Sequence, residues 1–119
     1  MGPIGVAQVV VVAFPFSNLA GSKLRPAVVL ANAGRGDWLL CQVTSNPFAD
    51  ADAVVIDATD FREGGLPMRS FVRPAKLFTA ESSIIRAIAA RLLPASHARI
   101  VEAVVNQIRS GGARDRPSP

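Results

Sequence analysis

Arg25 and Thr44 are the two side chains of this sequence whose types and settings best suit phosphate chemistry. An arginine guanidinium stays positively charged and binds a phosphate through two parallel hydrogen bonds. A threonine hydroxyl can hold a non-bridging phosphate oxygen. Cleavage of RNA by its own 2′-hydroxyl needs removal of that proton, stabilisation of the crowded phosphorane and protonation of the leaving 5′ oxygen. The pair is the minimum for such chemistry without a metal. Arg25 suits the second task, since a guanidinium group that stays protonated is a poor base.

Both residues lie at the ends of predicted strands. Residues 9–14 are short, β-branched and apolar, which is typical of a strand buried on both faces. Residues 26–31 are predicted to form a second strand, and Pro26 biases Arg25 towards an extended backbone at its entrance. Residues 38–45 are predicted to form a third strand. The turn between the last two contains Gly34 and Gly36.

Alternation along the third strand makes Thr44 a polar tip beyond an apolar row, as expected for a site at the rim of a barrel. The two predicted faces carry Trp38, Leu40, Gln42 and Thr44 on one side, and Leu39, Cys41, Val43 and Ser45 on the other. From the residues alone a simpler interpretation stays open. Arg25 is then a surface arginine at a strand start, and Thr44 a β-forming residue at a strand end.

The rest of the chain predicts further short strands. These are residues 53–56 and residues 70–77, where Pro74 indicates an edge or a bulge. Residues 58–69 are predicted to be irregular around Gly64 and Gly65. Residues 82–92 fit either a helix or a strand by pattern. Because βα units do not alternate, a small curved antiparallel barrel is favoured over a doubly wound sheet.

One amphipathic helix is predicted near the C-terminus, with Ser96 as its N-cap and Gly111–Gly112 as its stop. Its apolar stripe consists of Ile100, Val101, Val104, Val105 and Ile108. Residues 1–110 are therefore expected to form one domain. Residues 111–119 are polar and contain proline, which predicts a disordered tail.

Four segments, in this order and spacing, resemble the PemK/MazF-type toxins of bacterial toxin–antitoxin systems. They are residues 9–14, K-L-R-P-A-V-V-L at 23–30, C-Q-V-T-S at 41–45, and G-G-L at 64–66 leading to K-L-F-T at 76–79. The resemblance covers roughly residues 9–108. It implies an SH3-like small β-barrel with a C-terminal helix, and a short turn followed by a strand at residues 82–92.

The same resemblance implies a function. Such toxins are metal-independent, sequence-preferring endoribonucleases that cut single-stranded RNA to 2′,3′-cyclic phosphate and 5′-hydroxyl ends. Their catalytic arginine and threonine correspond here to Arg25 and Thr44, and a role for Arg25 in proton transfer is suggested only in this way. A homodimer and a cognate antitoxin with a disordered acidic segment are the implied partners, and no cofactor is implied.

Five further residues are candidates for RNA contacts: Lys23, Gln42, Ser45, Arg73 and Lys76. The basic ones either line a phosphate-tracking groove, together with Arg69, or are solvated surface charges. Gln42 either reads a base edge or forms a hydrogen bond inside the barrel. Ser45 points away from Thr44 if the strand is regular. Phe16 either stacks on a base or packs as a loop anchor, and packing is favoured.

One departure from the resembling toxins concerns the start of the first strand. They usually carry Gly-Asp there, whereas this chain has Ala7-Gln8. The change motivates an alternative, a catalytically degenerate RNA-binding relative. A second alternative is a gyrase-targeting toxin of the CcdB type, because the same barrel carries both functions.

Composition limits other chemistries. The chain has 119 residues, a net charge of +4, one cysteine and one histidine, His97. Eleven of its 13 basic residues are arginine, which favours phosphate partners. Paired histidine acid–base catalysis within one chain and a thiolate metal site are therefore excluded, and no metal is expected. The aspartates at 50, 52, 57 and 60 are interpreted as solvated turn residues. The apolar run that Pro15 ends is too short to span a membrane. The single cysteine, Cys41, fits a reducing compartment, so a cytoplasmic location is expected.

Overall fold

The computed structural model of the chain describes residues 2–15 and 22–112. This part contains seven strands, two short 3₁₀ turns and one helix. The strands are β1 (Gln8–Pro15), β2 (Ser22–Gly34), β3 (Asp37–Thr44), β4 (Val54–Ile56), β5 (Phe61–Gly64), β6 (Ser70–Glu81) and β7 (Ile85–Leu92), and the helix is α1 (Pro94–Arg109). The 3₁₀ turns Ala58–Asp60 and Ser82–Ile84 precede β5 and β7. Phe16 and the predicted tail beyond residue 112 lie outside the described residues.

The strands form one antiparallel sheet in the order β4-β6-β3-β2-β1-β7-β5. The sheet curls into a half-barrel with β4 and β5 at its edges. The predicted fold class, mainly β with a C-terminal helix, is confirmed. Residues 82–92 form the short turn and strand that the family resemblance implied, not a helix.

Two apolar clusters cover the two faces of the central strands. The cluster under the helix contains Val9, Val28, Cys41, Val43, Ile100 and Val104, and the opposite cluster contains Val10, Val12, Ala27, Val29 and Leu40. Neighbours in sequence thus fall in different clusters, so the predicted alternation along β3 is confirmed. Burial on both faces also explains why β1 is a continuous apolar run.

A bulge in β6 lies at Pro74, as predicted. Cys41 of β3 pairs with Leu77, and Val43 pairs with Val72, so residues 73–76 stand opposite Gln42 alone. Pro74 has no amide hydrogen to donate to the neighbouring strand. In the bulge its backbone does not have to form such a hydrogen bond.

The helix differs from its prediction at its start and in its apolar stripe, but it ends at Arg109, just before the predicted Gly111–Gly112 stop. It begins at Pro94, with Leu93 in the N-cap position, so the prediction of Ser96 as N-cap is wrong. Proline suits the first helical turn because its missing N–H would have no partner there. The predicted apolar stripe is also too wide. Val101 is 36% exposed and Ile108 is 66% exposed, whereas Ile100 and Val104 are buried against the sheet.

Residues 58–69 are more regular than predicted. The Asp57 carboxylate accepts hydrogen bonds from Thr59, and it caps the turn that leads into β5. β5 then pairs with β7. Gly64 has a φ of +66°, and a Cβ there would lie 2.2 Å from the carbonyl oxygen of Ala89. Only glycine fits this close approach of two backbones.

Candidate functional site

A cleft of about 300 Å³ opens where β2 begins and β3 ends. The segment between β5 and β6 forms its other wall. The cleft is lined by Leu24, Arg25, Pro26, Val43, Thr44, Ser45, Leu66, Pro67, Met68 and Ser70. Both residues that the sequence singled out for phosphate chemistry therefore lie in the same cleft.

The strand register explains why Arg25 and Thr44 meet. Ala27 of β2 pairs with Gln42 of β3, and Val28 pairs with Cys41. Continued by two residues, this antiparallel register sets Arg25 opposite Thr44. Side chains of directly opposed residues share one face of a sheet. On its other side, Arg25 pairs with the buried Val12 of β1, so its backbone is held between two strands.

The Thr44 hydroxyl is oriented by its own turn. Its Oγ1 accepts a hydrogen bond of 3.1 Å from the backbone N–H of Asn46. A hydroxyl that accepts one hydrogen bond still has its proton to donate. Across the sheet, Thr44 pairs with Phe71 of β6, which fixes the strand end from which the hydroxyl projects.

The rim of the cleft is apolar, which the sequence did not predict. Leu24 is 58% exposed and Met68 is 59% exposed, with Pro67 beside them. Leu24 stands alone between Lys23 and Arg25, and Pro67 and Met68 follow Leu66 outside any strand, so no periodicity marks them. Large exposed apolar side chains beside a cleft are typical of a binding surface.

The predicted RNA contacts are distributed unevenly around this cleft. Ser45 lines it together with Thr44, although a regular strand would have turned Ser45 away. Lys23 is exposed at the start of β2, two residues from Arg25. Gln42 is half-buried opposite Ala27, and Lys76 is exposed in the β6 bulge. Neither Gln42 nor Lys76 lines the cleft.

Arg73 has a structural partner. Its Nε and Nη2 donate hydrogen bonds of 2.8 Å and 3.1 Å to the two carboxylate oxygens of Asp50. This bidentate pair raises the pKa of Arg73, although partial burial opposes the shift. Both side chains are about four-fifths buried, with 21% and 23% exposure. The pair therefore ties the loop after β3 to the β6 bulge.

Solved structures share this fold over most of the chain. A MazE–MazF complex from Deinococcus radiodurans (Form-II) has a TM-score of 0.69 at 20% identity, covering 94% of this chain and all (100%) of that chain. The toxin MazF-mt6 of Mycobacterium tuberculosis has a TM-score of 0.66 at 17% identity, covering 86% and 96%. An endoribonuclease in complex with its cognate antitoxin, from a Mycobacterial species, has 0.67 at 16%, covering 99% and 100%.

This chain has the fold of the MazF toxins. The resemblance detected in four sequence segments is thereby confirmed at the level of the fold, including the SH3-like small barrel. No protein-family model and no curated protein matches the chain.

Within this MazF fold, the Ala7-Gln8 departure lies in the turn that leads into β1. Ala7 has a φ of +74°, which favours glycine, and its backbone bonds to Val29 and Leu92 hold it there. The buried Gln8 side chain accepts from the N–H of Gly5 and donates to the carbonyl of Pro3. Gln8 also lies four residues along β1 from the partner of Arg25. The departure therefore affects the opposite end of β1 from the cleft.

Cys41 and three of the aspartates stabilise the fold around the site. Cys41 is buried, and desolvation, assisted by the charge of Asp50, raises its pKa to about 12. The interpretation of the aspartates as solvated turn residues is right for Asp52 and Asp57 but wrong for Asp50 and Asp60. Asp60 is 9% exposed and accepts hydrogen bonds from the helix. Arg73 binds the carboxylate of Asp50, and Ser96 and Arg99 bind that of Asp60, so neither aspartate is a solvated turn residue.

The described residues contain neither a cluster of metal-binding side chains nor a membrane-spanning helix. In residues 2–15 and 22–112, no group of three or more histidine, cysteine, aspartate or glutamate side chains is placed to hold a metal ion. Within the same ranges, no helix is long and apolar enough to cross a membrane.

Proposed function

We propose that this chain is the toxin of a toxin–antitoxin pair and acts as a metal-independent endoribonuclease on single-stranded RNA. One observation carries the proposal. On a MazF fold, Arg25 and Thr44 lie on adjacent strands and line one cleft at the sheet end. The similar structures named above include a MazF toxin and an endoribonuclease bound to its antitoxin, which supports the same function for this chain.

In the proposed reaction the RNA supplies its own nucleophile. The 2′ oxygen bonds to phosphorus, and the bond from phosphorus to the 5′ oxygen breaks. The 2′ oxygen loses its proton and the leaving 5′ oxygen gains one, which leaves a 2′,3′-cyclic phosphate and a 5′-hydroxyl. Negative charge accumulates on the equatorial phosphate oxygens between these events. The guanidinium of Arg25 stabilises that charge, so a metal is not required.

Thr44 positions the phosphate in this mechanism. Its Oγ1 already accepts a hydrogen bond from Asn46, so its proton is available for a non-bridging phosphate oxygen. Holding the phosphate from two strands keeps the 2′ oxygen in line with the leaving oxygen. Ser45, on the same wall, contributes a second hydroxyl to the RNA.

The remaining proposed contacts lie outside the cleft. Lys23 and Lys76 are exposed and attract the RNA backbone without reading sequence. Gln42 reads a base edge or stays inside the barrel. Because Arg73 is paired with Asp50, it contacts RNA only through the small part of its side chain that is exposed. We also propose that the chain works in the cytoplasm as a homodimer, and that an acidic segment of its antitoxin competes with RNA for the basic surface.

The test is digestion of a long single-stranded RNA by the purified protein in EDTA, with mapping of the fragment ends. The proposal predicts cuts at a recurring short motif with 5′-hydroxyl ends. Arg25→Ala and Thr44→Ala should each abolish most of the cutting. Arg35→Ala is the matched control, because Arg35 is an exposed arginine at the opposite end of the same β2–β3 hairpin. It should cut at the wild-type rate.

Three other outcomes would overturn this proposal. Equal loss in Arg35→Ala would indicate a general charge effect. Salt-sensitive RNA binding without any cutting would favour the degenerate relative. Trapped gyrase–DNA complexes without RNA cleavage would favour the CcdB-type toxin.

A further inference from the structure

Phe48 is an aromatic side chain without a packing role. It is 91% exposed, whereas every other aromatic residue in 2–15 and 22–112 is at least partly buried. The others contact the body of the fold. Phe14 and Phe78 pack with ring centroids 4.6 Å apart, and the indole of Trp38 donates a hydrogen bond to Ser82.

Local hydrogen bonds hold the backbone of Phe48 close to the cleft. The Thr44 hydroxyl accepts from the N–H of Asn46, and the Asn46 side chain accepts from the N–H of Phe48 at 2.9 Å. The Asn46 carbonyl then accepts from Ala49. Two linked side-chain turns therefore run directly from the proposed phosphate-binding hydroxyl to the exposed ring.

The far side of this turn is also anchored. Asp50 follows Phe48 by two residues and is bound in two-point fashion by Arg73 of β6. Both ends of the short segment are thus fixed, at Thr44 and at Asp50. A ring presented by a segment with two fixed ends loses little freedom when a ligand stacks on it.

We propose that Phe48 is a stacking platform for a base of single-stranded RNA beside the cleavage site, and that the Arg73–Asp50 pair positions it. This inference rests on the proposed ribonuclease function. Exposed bases of single strands stack on aromatic side chains, with little dependence on sequence. Phe48 is four positions after Thr44, and at about 3.6 Å per residue the two Cα atoms lie within about 14 Å. The stacked base therefore belongs to a nucleotide flanking the bond that is cut.

The test measures binding apart from cleavage. The probe is a short, randomised, fluorescently labelled single-stranded RNA with 2′-O-methyl groups, which removes the nucleophile. Phe48→Ala should weaken its binding by roughly 5- to 150-fold, whereas Phe48→Trp should bind like wild type. Ile108→Ala is the matched control, since Ile108 is a large exposed apolar residue on the helix. It should leave binding unchanged.

A second readout reports the stacking directly. In Phe48→Trp, addition of the same RNA should quench tryptophan fluorescence beyond the change in wild type, whose Trp38 provides the background. When Asp50→Asn is added to Phe48→Trp, the quenching should decrease, because the change breaks the pair with Arg73 that anchors the segment. If the side chain at position 48 only stabilised the fold, addition of RNA would produce no quenching.

The outcomes separate this inference from the proposed function. One outcome is that the wild-type protein cuts RNA, Phe48→Ala binds the probe as tightly as wild type, and Phe48→Trp shows no quenching. This outcome overturns the stacking role of Phe48 and leaves the proposed ribonuclease function intact. Loss of antitoxin binding without loss of RNA binding in Phe48→Ala also overturns the platform, and assigns the ring to a protein interface. A wild-type protein that neither binds nor cuts RNA removes both proposals.

Discussion

The Ser96 hydroxyl donates a hydrogen bond of 2.7 Å to Oδ1 of Asp60, although the residues are 36 positions apart. Arg99 donates to the same oxygen at 3.2 Å and to the carbonyl of Val55 at 3.1 Å. One buried carboxylate thus joins the helix to the 3₁₀ turn before β5. This junction fixes the helix over the apolar face that supports β2 and β3.

The junction makes stability sensitive to acid. Burial by itself raises the pKa of Asp60, but hydrogen bonds from Asp57, Ser96 and Arg99 lower it by more, so the net shift is downward. Such a carboxyl contributes fully above its unfolded pKa of about 3.9, and the contribution is lost as pH falls through the lower folded value. We expect Asp60→Asn to be less stable at neutral pH by about 1–3 kcal/mol, with a flatter loss of stability below about pH 4.

The measurement is urea unfolding across that pH range. Glu102→Gln serves as the control, because Glu102 is an exposed carboxyl of the same helix. Its profile should run parallel to wild type. Equal slopes for Asp60→Asn and wild type would show that the junction does not couple stability to protonation.

Ala7→Gly should stabilise the fold. A non-glycine residue in the left-handed region costs about 1–2 kcal/mol, and glycine returns about 0.4–1 kcal/mol of that through a more flexible unfolded chain. We therefore expect a net gain of about 1 kcal/mol or less, measured by urea unfolding. Ala87→Gly, on an exposed position of β7, has no such strain to relieve and should destabilise. If Ala7→Gly were less stable than wild type, the inference that Ala7 is strained at its positive φ would be wrong.

Gly64→Ala should weaken the edge of the sheet. The new Cβ would overlap the carbonyl of Ala89 at 2.2 Å, and it would also sit at a positive φ. We expect a loss of about 2 kcal/mol or more, with faster hydrogen exchange in β5. Gly65→Ala is the neighbouring control, because its nearest contact is Phe61 at 3.9 Å. Similar stability in the two variants would rule out the close approach of β5 to β7.

Cys41 should be inert in the folded protein. Its thiol is buried, and its pKa of about 12 leaves almost no thiolate at about pH 8. Iodoacetamide should therefore label the protein in guanidinium chloride and leave the native protein unlabelled, as mass spectrometry would show. Rapid native labelling would mean that the core around β3 opens.

The strands that carry the site were predictable because their signals are local. The β-branched apolar run of β1, the bias that Pro26 imposes on Arg25 and the break at Pro74 are each encoded within a few residues. Alternation along β3 then placed Thr44 correctly at a strand end. The pairing of neighbouring strands, which brings Arg25 and Thr44 together, followed from the family resemblance and not from periodicity.

Features that depend on distant partners were missed. In sequence Arg73 is either an RNA contact or a solvated surface charge, and only the fold shows its pair with Asp50, 23 positions away. Ser96 has the residue type of an N-cap, but it bonds to Asp60 because Pro94 begins the helix earlier. Phe48 lies in a loop with no periodic pattern to mark it, and its exposure is visible only in three dimensions.

The central claim is that Arg25 and Thr44 act together on one phosphate. Its most direct test is single-turnover cleavage of a mapped RNA site in EDTA by wild type, Arg25→Ala, Thr44→Ala and the double variant. Each single change should slow cleavage by about 100-fold or more, and the double variant should be little slower than the slower single one, because residues that act as a unit are non-additive. Wild-type rates in Arg25→Ala, or effects that multiply fully, would contradict the claim.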